Sequence, residues 1–454
     1  MAHPAPIKVL VIGAGIGGLG TAIALAQKGH AVTVYEASRA RIPGVGAGIA
    51  INPNSARILD HLGIWEAYLL KAGTADFPRF QRRYNGELIS HRGAGDSTAI
   101  YGYPMTWIHR ADLIDVFDSR ARELEIPMHM GNPVTSIGET EQAVTLTLAD
   151  GTQVTGDVIV GADGIKSIAR SFVLGQERGK RSSSPSPPAS LSGTLSVYRL
   201  AIPGDVARND PEIAHLMLGS HLWMGPGSAG AGAPLRNGTE YGLEIAHDDK
   251  DGDDEGKSET KPRVGHWATF ADMHEVRRMH QDWDPAVKRV LALADSCLVW
   301  RILETGPLER WVSQRGRVVI IGDAAHAMKP YAGQGGAMAI EDAACLAECL
   351  DRAQSPSTIA EVLSVFQSLR KPRTELVARR SHENAVLYHL PDGPAQQARD
   401  EKMRAVPLWK EGGDWDGKPM DELPDGPKDP RFMLWLFAGD IVNQTKRKLD
   451  EMGL

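Results

Sequence analysis

The stretch Gly13-Ala14-Gly15-Ile16-Gly17-Gly18 constrains this chain more than any other, because it separates two segments of different periodicity. Before it, Ile7–Ile12 (IKVLVI) is β-branched and apolar on both faces, the pattern of a strand buried in a parallel sheet. After it, Gly15 to Lys28 reads as a helix with Leu19, Ile23 and Leu25 near one face and Gly29 as its stop. Ala31–Tyr35 is a second strand, and Glu36 ends it. These pieces make a βαβ unit, which requires a parallel sheet and a right-handed crossover. In the GxGxxG spacing Gly13 permits the tight turn, Gly15 lets a pyrophosphate approach the backbone, and Gly18 lets the helix pack on the sheet. The free N–H groups of the helix start face the phosphates. A carboxylate at Glu36 accepts hydrogen bonds from the ribose hydroxyls of an adenosine and repels a 2′-phosphate, so NADP is not expected in this pocket. The segment alone leaves FAD and NAD both open.

Two further strand-to-glycine turns carry an aspartate. Val158–Val160 leads into Gly161-Ala162-Asp163-Gly164, and Val318–Ile321 leads into Gly322-Asp323-Ala324-Ala325-His326. The latter precedes Gly333-Gln334-Gly335-Gly336, from which a long helix runs to Ala353. An aspartate at a strand end can bind ribityl hydroxyls, and helix-start N–H groups can stabilise charge on the N1–O2 side of a reduced flavin. Three such ends favour FAD. Plainer readings stand beside these: Asp163 as a helix cap with Ser167 nearby, Arg110 as a surface charge at a helix start, and His109 and His326 as packing residues.

GAGIGG, GADGIKS and GDAAH, in this order and spacing, resemble the three fingerprints of the single-component (group A) FAD-dependent aromatic hydroxylases. The nearest resemblance is to the salicylate-hydroxylase-like branch of fungal secondary metabolism. It spans roughly residues 7 to 400 and includes Val45-Gly46-Ala47-Gly48-Ile49 with Pro53-Asn54, His109-Arg110-Ala111-Asp112-Leu113, and Pro391-Asp392-Gly393-Pro394. The resemblance implies an α/β FAD-binding domain of the glutathione-reductase-like Rossmann variety, a β-rich substrate domain and a helical C-terminal region. It implies that Glu36 holds the adenosine ribose, Ala47 and Gly48 lie near the ring system, and Arg110 reaches the pyrophosphate. Asp163 would serve both FAD and the passing NAD(P)H, Asp323 the ribityl chain, and Gly335 and Gly336 the pyrimidine edge.

The chemistry so implied is reduction of FAD by NADPH or NADH, addition of O2 to give a flavin C4a-hydroperoxide, and hydroxylation or epoxidation of an electron-rich aromatic substrate. Arg199 matches an arginine that in this branch points from the β domain toward the flavin, although it also reads as an exposed strand residue. Pro330 and Tyr331 border the oxygen-transfer site by their position before the glycine-rich turn. Phenol-hydroxylating relatives often carry a Tyr-Pro pair after the Trp-Met-Gly-Pro segment. Here Trp223-Met224-Gly225-Pro226 is followed by Ala233-Pro234, which leaves room for a substrate without an acidic proton, such as an indole. A salicylate-like phenol hydroxylase, a flavin oxidase or dehydrogenase, and a non-catalytic FAD-binding protein are the alternatives. The WxWxIP signature of flavin halogenases is absent, and so is a second dinucleotide-binding βαβ unit.

A chain of 454 residues is long enough for two or three units. The expected division is a discontinuous FAD-binding domain (1–75, 105–175, 300–385), a β-rich substrate domain (76–104, 190–299) and a helical C-terminal region (386–454). Arg178–Ser192, Gly225–Gly238 and Asp248–Lys261 lack periodicity and read as loops, flanking strand-like Thr194–Ile202 and Tyr241–Ala246. Asp150-Gly151 marks a hairpin between Val144–Leu148 and Thr152–Thr155. A net charge of -7 without a basic run speaks against a nucleic-acid surface. No stretch has the roughly 20 consecutive apolar residues of a spanning helix. Phe432–Val442 is broken by Gly439-Asp440 and reads as a docked C-terminal helix. Three cysteines, Cys297, Cys345 and Cys349, make no paired framework, which points to a reducing, cytoplasmic location and to core packing for the last two. The expected partners are a small aromatic substrate, O2 and NAD(P)H, bound by a monomer or homodimer.

Overall fold

The computed structural model describes residues 6–39, 48–74, 79–91, 97–176, 192–248, 268–353, 355, 358–405, 422–426 and 431–454. The apolar runs read from the sequence pair with one another. Lys8–Ile12 lies at the centre of a five-stranded parallel sheet, between Val158–Gly161 and Ala31–Glu36. Val318–Ile320 and Met128–Met130 complete its two edges. Helix Ile16–Gln27 packs on helix Gly335–Asp351, and small residues set how close they come. A methyl group on Gly20 would touch Ala343 Cβ and the Phe117 ring, each at 3.4 Å. Cys345 and Cys349 lie fully buried in this layer. The expected hairpin is present: Val144–Leu148 pairs antiparallel with Gln153–Gly156, and Gly151 takes φ 85° in its turn.

The second large sheet has eight strands in the order Ala268–Ala271, Cys297–Glu304, Ser192–Pro203, Glu240–Asp248, Ser228–Leu235, His221–Gly225, Arg79–Arg82, Leu88–His91. Its neighbours are antiparallel except for His221–Gly225 beside Arg79–Arg82. Strand alternation gives the sheet two unlike faces. Leu200, Ile202, Trp223, Tyr241, Leu243 and Ile245 form an outer core with Trp283 and the helices Met273–Met279 and Pro285–Leu293. Leu195, Val197 and Ala246 point the other way, toward Ile302 and Tyr331.

One expectation is corrected here. The Gly225–Gly238 stretch is largely not a loop: Ser228–Leu235 is a buried strand inside this sheet. Its glycines carry no apolar signal because neighbouring side chains fill their space. A methyl group on Gly230 would stand 2.9 Å from the Trp283 ring, and one on Gly232 would collide with Tyr241 Oη. Arg178–Ser192 and Asp248–Lys261 lie outside the described residues except at their ends, where Ser192 opens one strand and Asp248 closes another.

The expected junctions also shift. Cys297–Glu304 belongs entirely to the eight-stranded sheet, so a boundary at 299/300 falls inside a strand. Helix Ile359–Tyr388 continues across 385/386. Ser97–Tyr101 buries Ile100 and Tyr101 against Ala337, Trp435 and Phe437 rather than on the sheet. The C-terminal segment divides at Gly439 into docked helices Phe432–Ala438 and Ile441–Met452. Among the described residues no helix is long and apolar enough to cross a membrane.

Candidate functional site

The three glycine turns converge because their strands are neighbours. Ile12 is in register with Gly161, and Gly161 with Ile320. Gly13 takes φ 103°, a conformation that side chains rarely adopt, and donates its N–H to Tyr35 O at 2.8 Å. A methyl group there would strike Ala162 O and stand 3.3 Å from Asp163 Cα. Gly18 packs against Gly13 O with no room for a Cβ, whereas a Cβ on Gly15 meets nothing within 4 Å. Gly13 and Gly18 thus serve backbone packing, and Gly15 faces open space at a helix start. Glu36 accepts hydrogen bonds from Ala14 N and Ser38 N, both at 2.8 Å, which orients its carboxylate at the mouth of this cradle.

The two aspartate turns behave differently. Asp163 accepts from Ser167 Oγ at 2.5 Å and from Ile168 N at 2.7 Å and Ala169 N at 3.2 Å. Its carboxylate is engaged by the start of helix Ile168–Val173, as the capping reading expects. Burial pushes its carboxyl up, against the pull of Ser167 and the backbone amides. Asp323 is exposed at the turn after Val318–Ile320. Arg170 joins the two turns from beneath: its guanidinium donates to Ile165 O, and to Ala324 O at 3.1 Å. Nothing in the GADG or GDAAH spacing announces this arginine.

Arg110 opens helix Arg110–Glu123 and is solvent-accessible, yet it lies within the surrounding protein rather than on a convex surface. Burial lowers its pKa, nearby Asp323 opposes the shift, and Arg199 adds to it. An accessible cation with an aspartate and a second arginine nearby is suited to an anionic group. His109 caps the same helix, accepting from Ala111 N at 3.2 Å. Asp112 ties that helix to the second sheet through Arg236 Nε at 2.8 Å.

The glycine-rich turn is braced from two sides. Gly333 adopts φ 60°, and its carbonyl accepts from Asn52 Nδ2 at 2.9 Å. Asn54 Nδ2 reaches Gln334 Oε1 at 3.1 Å and Glu341 Oε1 at 2.7 Å. A Cβ on Gly336 would meet Ile49 at 3.7 Å, while one on Gly335 meets nothing within 4 Å. Gly48 packs beside Trp107 and Leu235, and Ala47 lies outside the described residues.

Beneath this turn lies a buried charge network. Arg370 binds Glu341 and holds Asp342 at 2.8 Å, Arg373 holds Glu341 at 2.6 Å, and His326 Nε2 lies 2.6 Å from Asp342. Asp342 also accepts from Gly322 N at 3.0 Å. Burial alone would raise both carboxyls. The charges of Arg373 and Arg370 outweigh it at Glu341, those of His326 and Arg370 at Asp342, and each is held at about 2. His326 is therefore a structural partner of Asp342.

Facing the turns, the inner face of the eight-stranded sheet carries small residues, the apolar Leu195 and Val197, and the Arg199–Glu244 ion pair. Directly opposed residues share a face, so Ala229, Ala231 and Ala233 lie with Ala246, Glu244 and Gly242. Arg199 stands opposite Glu244 at 3.6 Å and lies over the Trp300 ring at 5.2 Å. Burial raises the Glu244 carboxyl, and Arg199 counteracts it. Arg199 Nε and Glu244 Oε1 are buried without a hydrogen-bond partner among the described residues. Glu244 was not expected from the sequence, because the spacing within one strand does not reveal its cross-strand neighbour. Tyr331 sits in the short turn Pro330–Ala332, packed on this face.

A Rossmann-type cradle, two aspartate turns at adjacent strand ends and an open glycine turn define a flavin-dependent protein. Residues 6–192 and 278–381 match the FAD binding domain family FAD_binding_3. The chain is 32% identical to the FAD-dependent monooxygenase OpS4 of Beauveria bassiana (strain ARSEF 2860), covering 88% of this chain and 89% of that protein. It is 31% identical to 3-amino-4-hydroxybenzoate 2-monooxygenase of Streptomyces cremeus, covering 95% of each. A salicylate hydroxylase solved as a substrate complex superposes with a TM-score of 0.76 at 25% identity, over 97% of both chains. The chain belongs to the group A FAD-dependent aromatic hydroxylases. It is an FAD-dependent monooxygenase, which sets aside the oxidase, dehydrogenase and non-catalytic alternatives.

Proposed function

We propose that this enzyme uses NADH or NADPH and O2 to place one oxygen atom on an electron-rich aromatic ring held between the inner sheet face and the glycine turn. The observation that carries this reading is the Arg199–Glu244 pair, which lies on a face of small and apolar residues and near Arg110. When bound, FAD supplies the redox chemistry. The chain positions and shields it: Gly13, Gly15 and Gly18 admit the pyrophosphate, Glu36 takes the ribose, and Arg110 takes phosphate charge. Asp323 would hold the ribityl chain, Asp163 orders the neighbouring turn, and Gly335, Gly336 and Gly48 would admit the ring system. Arg199 orients the substrate, while Pro330 and Tyr331 border the reacting carbon. Fixed groups around the substrate contribute orientation more than bond chemistry.

A phenolic substrate is the favoured class, because Arg199 can hold a phenolate oxygen and the Streptomyces relative acts on a hydroxybenzoate by name. Ala233, small and buried on the same face, favours a second reading: an indole-type natural-product intermediate, with no proton to lose. The domain division is proposed with its junctions moved to the ends of Cys297–Glu304 and Ile359–Tyr388. A cytoplasmic monomer or homodimer completes the proposal. The test is mass spectrometry under 18O2 with NADH or NADPH and panels of phenols and indoles. One 18O atom in a phenol product is the expected result. A labelled indole product selects the second reading, and no labelled product from either panel overturns both.

A further inference from the structure

Glu244 stands in the middle of strand Glu240–Asp248, and the register of the sheet fixes its neighbours on the inner face. Arg199 lies opposite it on one adjacent strand and Ala231 on the other. Gly242 and Ala246 precede and follow it on the same face, and beyond Ala231 the next strand places Leu222. Of these neighbours Arg199 alone carries charge, with its Nε 3.6 Å from Glu244 Oε2. Arg199 is itself enclosed, since the Trp300 ring lies over its guanidinium at 5.2 Å. The side chains of Arg199 and Glu244 keep 17% and 21% exposure, so neither is sealed off from a bound molecule.

The pair changes what an arginine at this place can bind. A guanidinium alone on an apolar face takes a carboxylate through charge-assisted hydrogen bonds. Arg199 already has a carboxylate beside it, and the charges of the pair cancel. A second carboxylate brought to Arg199 would also stand close to Glu244, and like charges held out of water repel strongly. Burial raises the Glu244 carboxyl, and the Arg199 charge opposes this by favouring the ionised form. The next cation, Arg110, is engaged by Asp323 and, in the proposed function, by the phosphates of FAD. An uncharged ring hydroxyl meets no such barrier. It can donate to the Glu244 carboxylate while its oxygen accepts from an Arg199 N–H.

We propose that Glu244 is a specificity-determining residue: by occupying Arg199 it excludes aromatic rings that bear a carboxylate and admits rings whose polar group is an uncharged hydroxyl or N–H. This inference rests on the proposed function and narrows its substrate class. Glu244 acts through charge, and no bond forms or breaks at it. Its effect therefore belongs to binding, ahead of any chemistry. The small residues Ala231 and Gly242 beside it leave its carboxylate unscreened by a longer side chain, which is why one glutamate can set the sign of the site.

Salicylate and salicylamide differ by a carboxylate against a neutral amide of nearly equal size. Isothermal titration calorimetry of the FAD-loaded full chain compares them without turnover. Wild type is expected to bind salicylamide at least about 10-fold more tightly than salicylate. Glu244→Gln keeps the size and removes the charge, and is expected to tighten salicylate by about 10²-fold while moving salicylamide by less than about 3-fold. A Glu244 that only braces the sheet would shift both probes alike or neither, and that result overturns the proposal. So does tighter binding of salicylate than of salicylamide in wild type. If neither probe binds wild type, a gain of salicylate binding alone in Glu244→Gln upholds the proposal and no gain overturns it. Glu244→Leu supplies the same test should Glu244→Gln not retain FAD. Adding Arg199→Met is expected to abolish the gain, because the arginine is the group set free; a gain that persists overturns the proposal. 18O product from salicylate as efficiently as from salicylamide would sink this inference alone. 18O product from no ring would sink the proposed function, whereas the calorimetric preference stands or falls apart from it.

Discussion

Gly13–Gly18 and Gly225–Gly238 are both glycine-rich, and each serves one of the two large sheets, yet their glycines answer to different neighbours. In the first, Gly18 is required by the Gly13 carbonyl and Gly13 by its own positive φ and by the Ala162 backbone at the neighbouring strand end, while Gly15 faces open space. In the second, Gly230 and Gly232 are required by Trp283 and Tyr241, side chains that cross the strand from elsewhere. Both are tight, but the first is tight against backbone and the second against side chains. The domain of the first region also holds the buried Arg370–Glu341–Asp342 charge network, beneath its Gly333–Gly336 turn, while the second region rests on buried aromatic rings.

That contrast is open to test, beginning with the largest effect. Arg370→Met leaves Glu341 and Asp342 against Arg373 and His326 alone, and is expected to cost about 3–5 kcal/mol of stability, measured by denaturant unfolding. A loss under about 1 kcal/mol would mean that the pedestal is not what carries the first region. Gly13→Ala combines a positive φ with a clash against Ala162 O; about 2–4 kcal/mol and most bound FAD should be lost, read from unfolding and flavin absorbance. Gly232→Ala should cost about 1–3 kcal/mol with FAD affinity unchanged. Tyr241 Oη is buried without a hydrogen-bond partner among the described residues, so Tyr241→Phe should recover most of that loss in a double-mutant cycle. Additive effects of the two substitutions would remove the steric account of the second region.

Acid should separate the regions as well. Glu341 and Asp342 are held at about 2, below the ordinary carboxyl values of roughly 4, so their contribution is complete above that range. It is lost as pH falls toward 2, because protonation then favours the unfolded chain. The thermal midpoint should therefore drop across this interval in wild type and drop less in a variant with Glu341→Gln. The smallest change in stability belongs to Gly15→Ala, under about 1 kcal/mol, since its φ of -79° suits any residue. Its effect should instead appear as a weaker FAD dissociation constant by equilibrium dialysis.

The parallel sheet was legible because its strands carry their signal locally. Ile7–Ile12, Val158–Val160 and Val318–Ile321 are mainly apolar runs that end in glycine, Ala31–Tyr35 is one that ends at Glu36, and each forms a strand within a residue of its expected bounds. The cradle residues were legible for the same reason. Ser228–Leu235 was not, because alanine and glycine carry no period, and its place in the sheet follows from partners such as Tyr241 and Trp283. Arg170 and Glu244 were missed on similar grounds: each acquires its role from a residue that the chain brings near only on folding.

From its sequence alone this chain determined a βαβ unit, three glycine turns at strand ends and a family likeness, since each depends on residues a few positions apart. Tertiary structure decided which aspartate caps a helix and which stands open, where the charged pedestal lies, and which carboxylate faces Arg199. The physical reason is range. Backbone conformation and periodicity are set between near neighbours, whereas burial and ion pairing depend on distances between segments far apart in the chain.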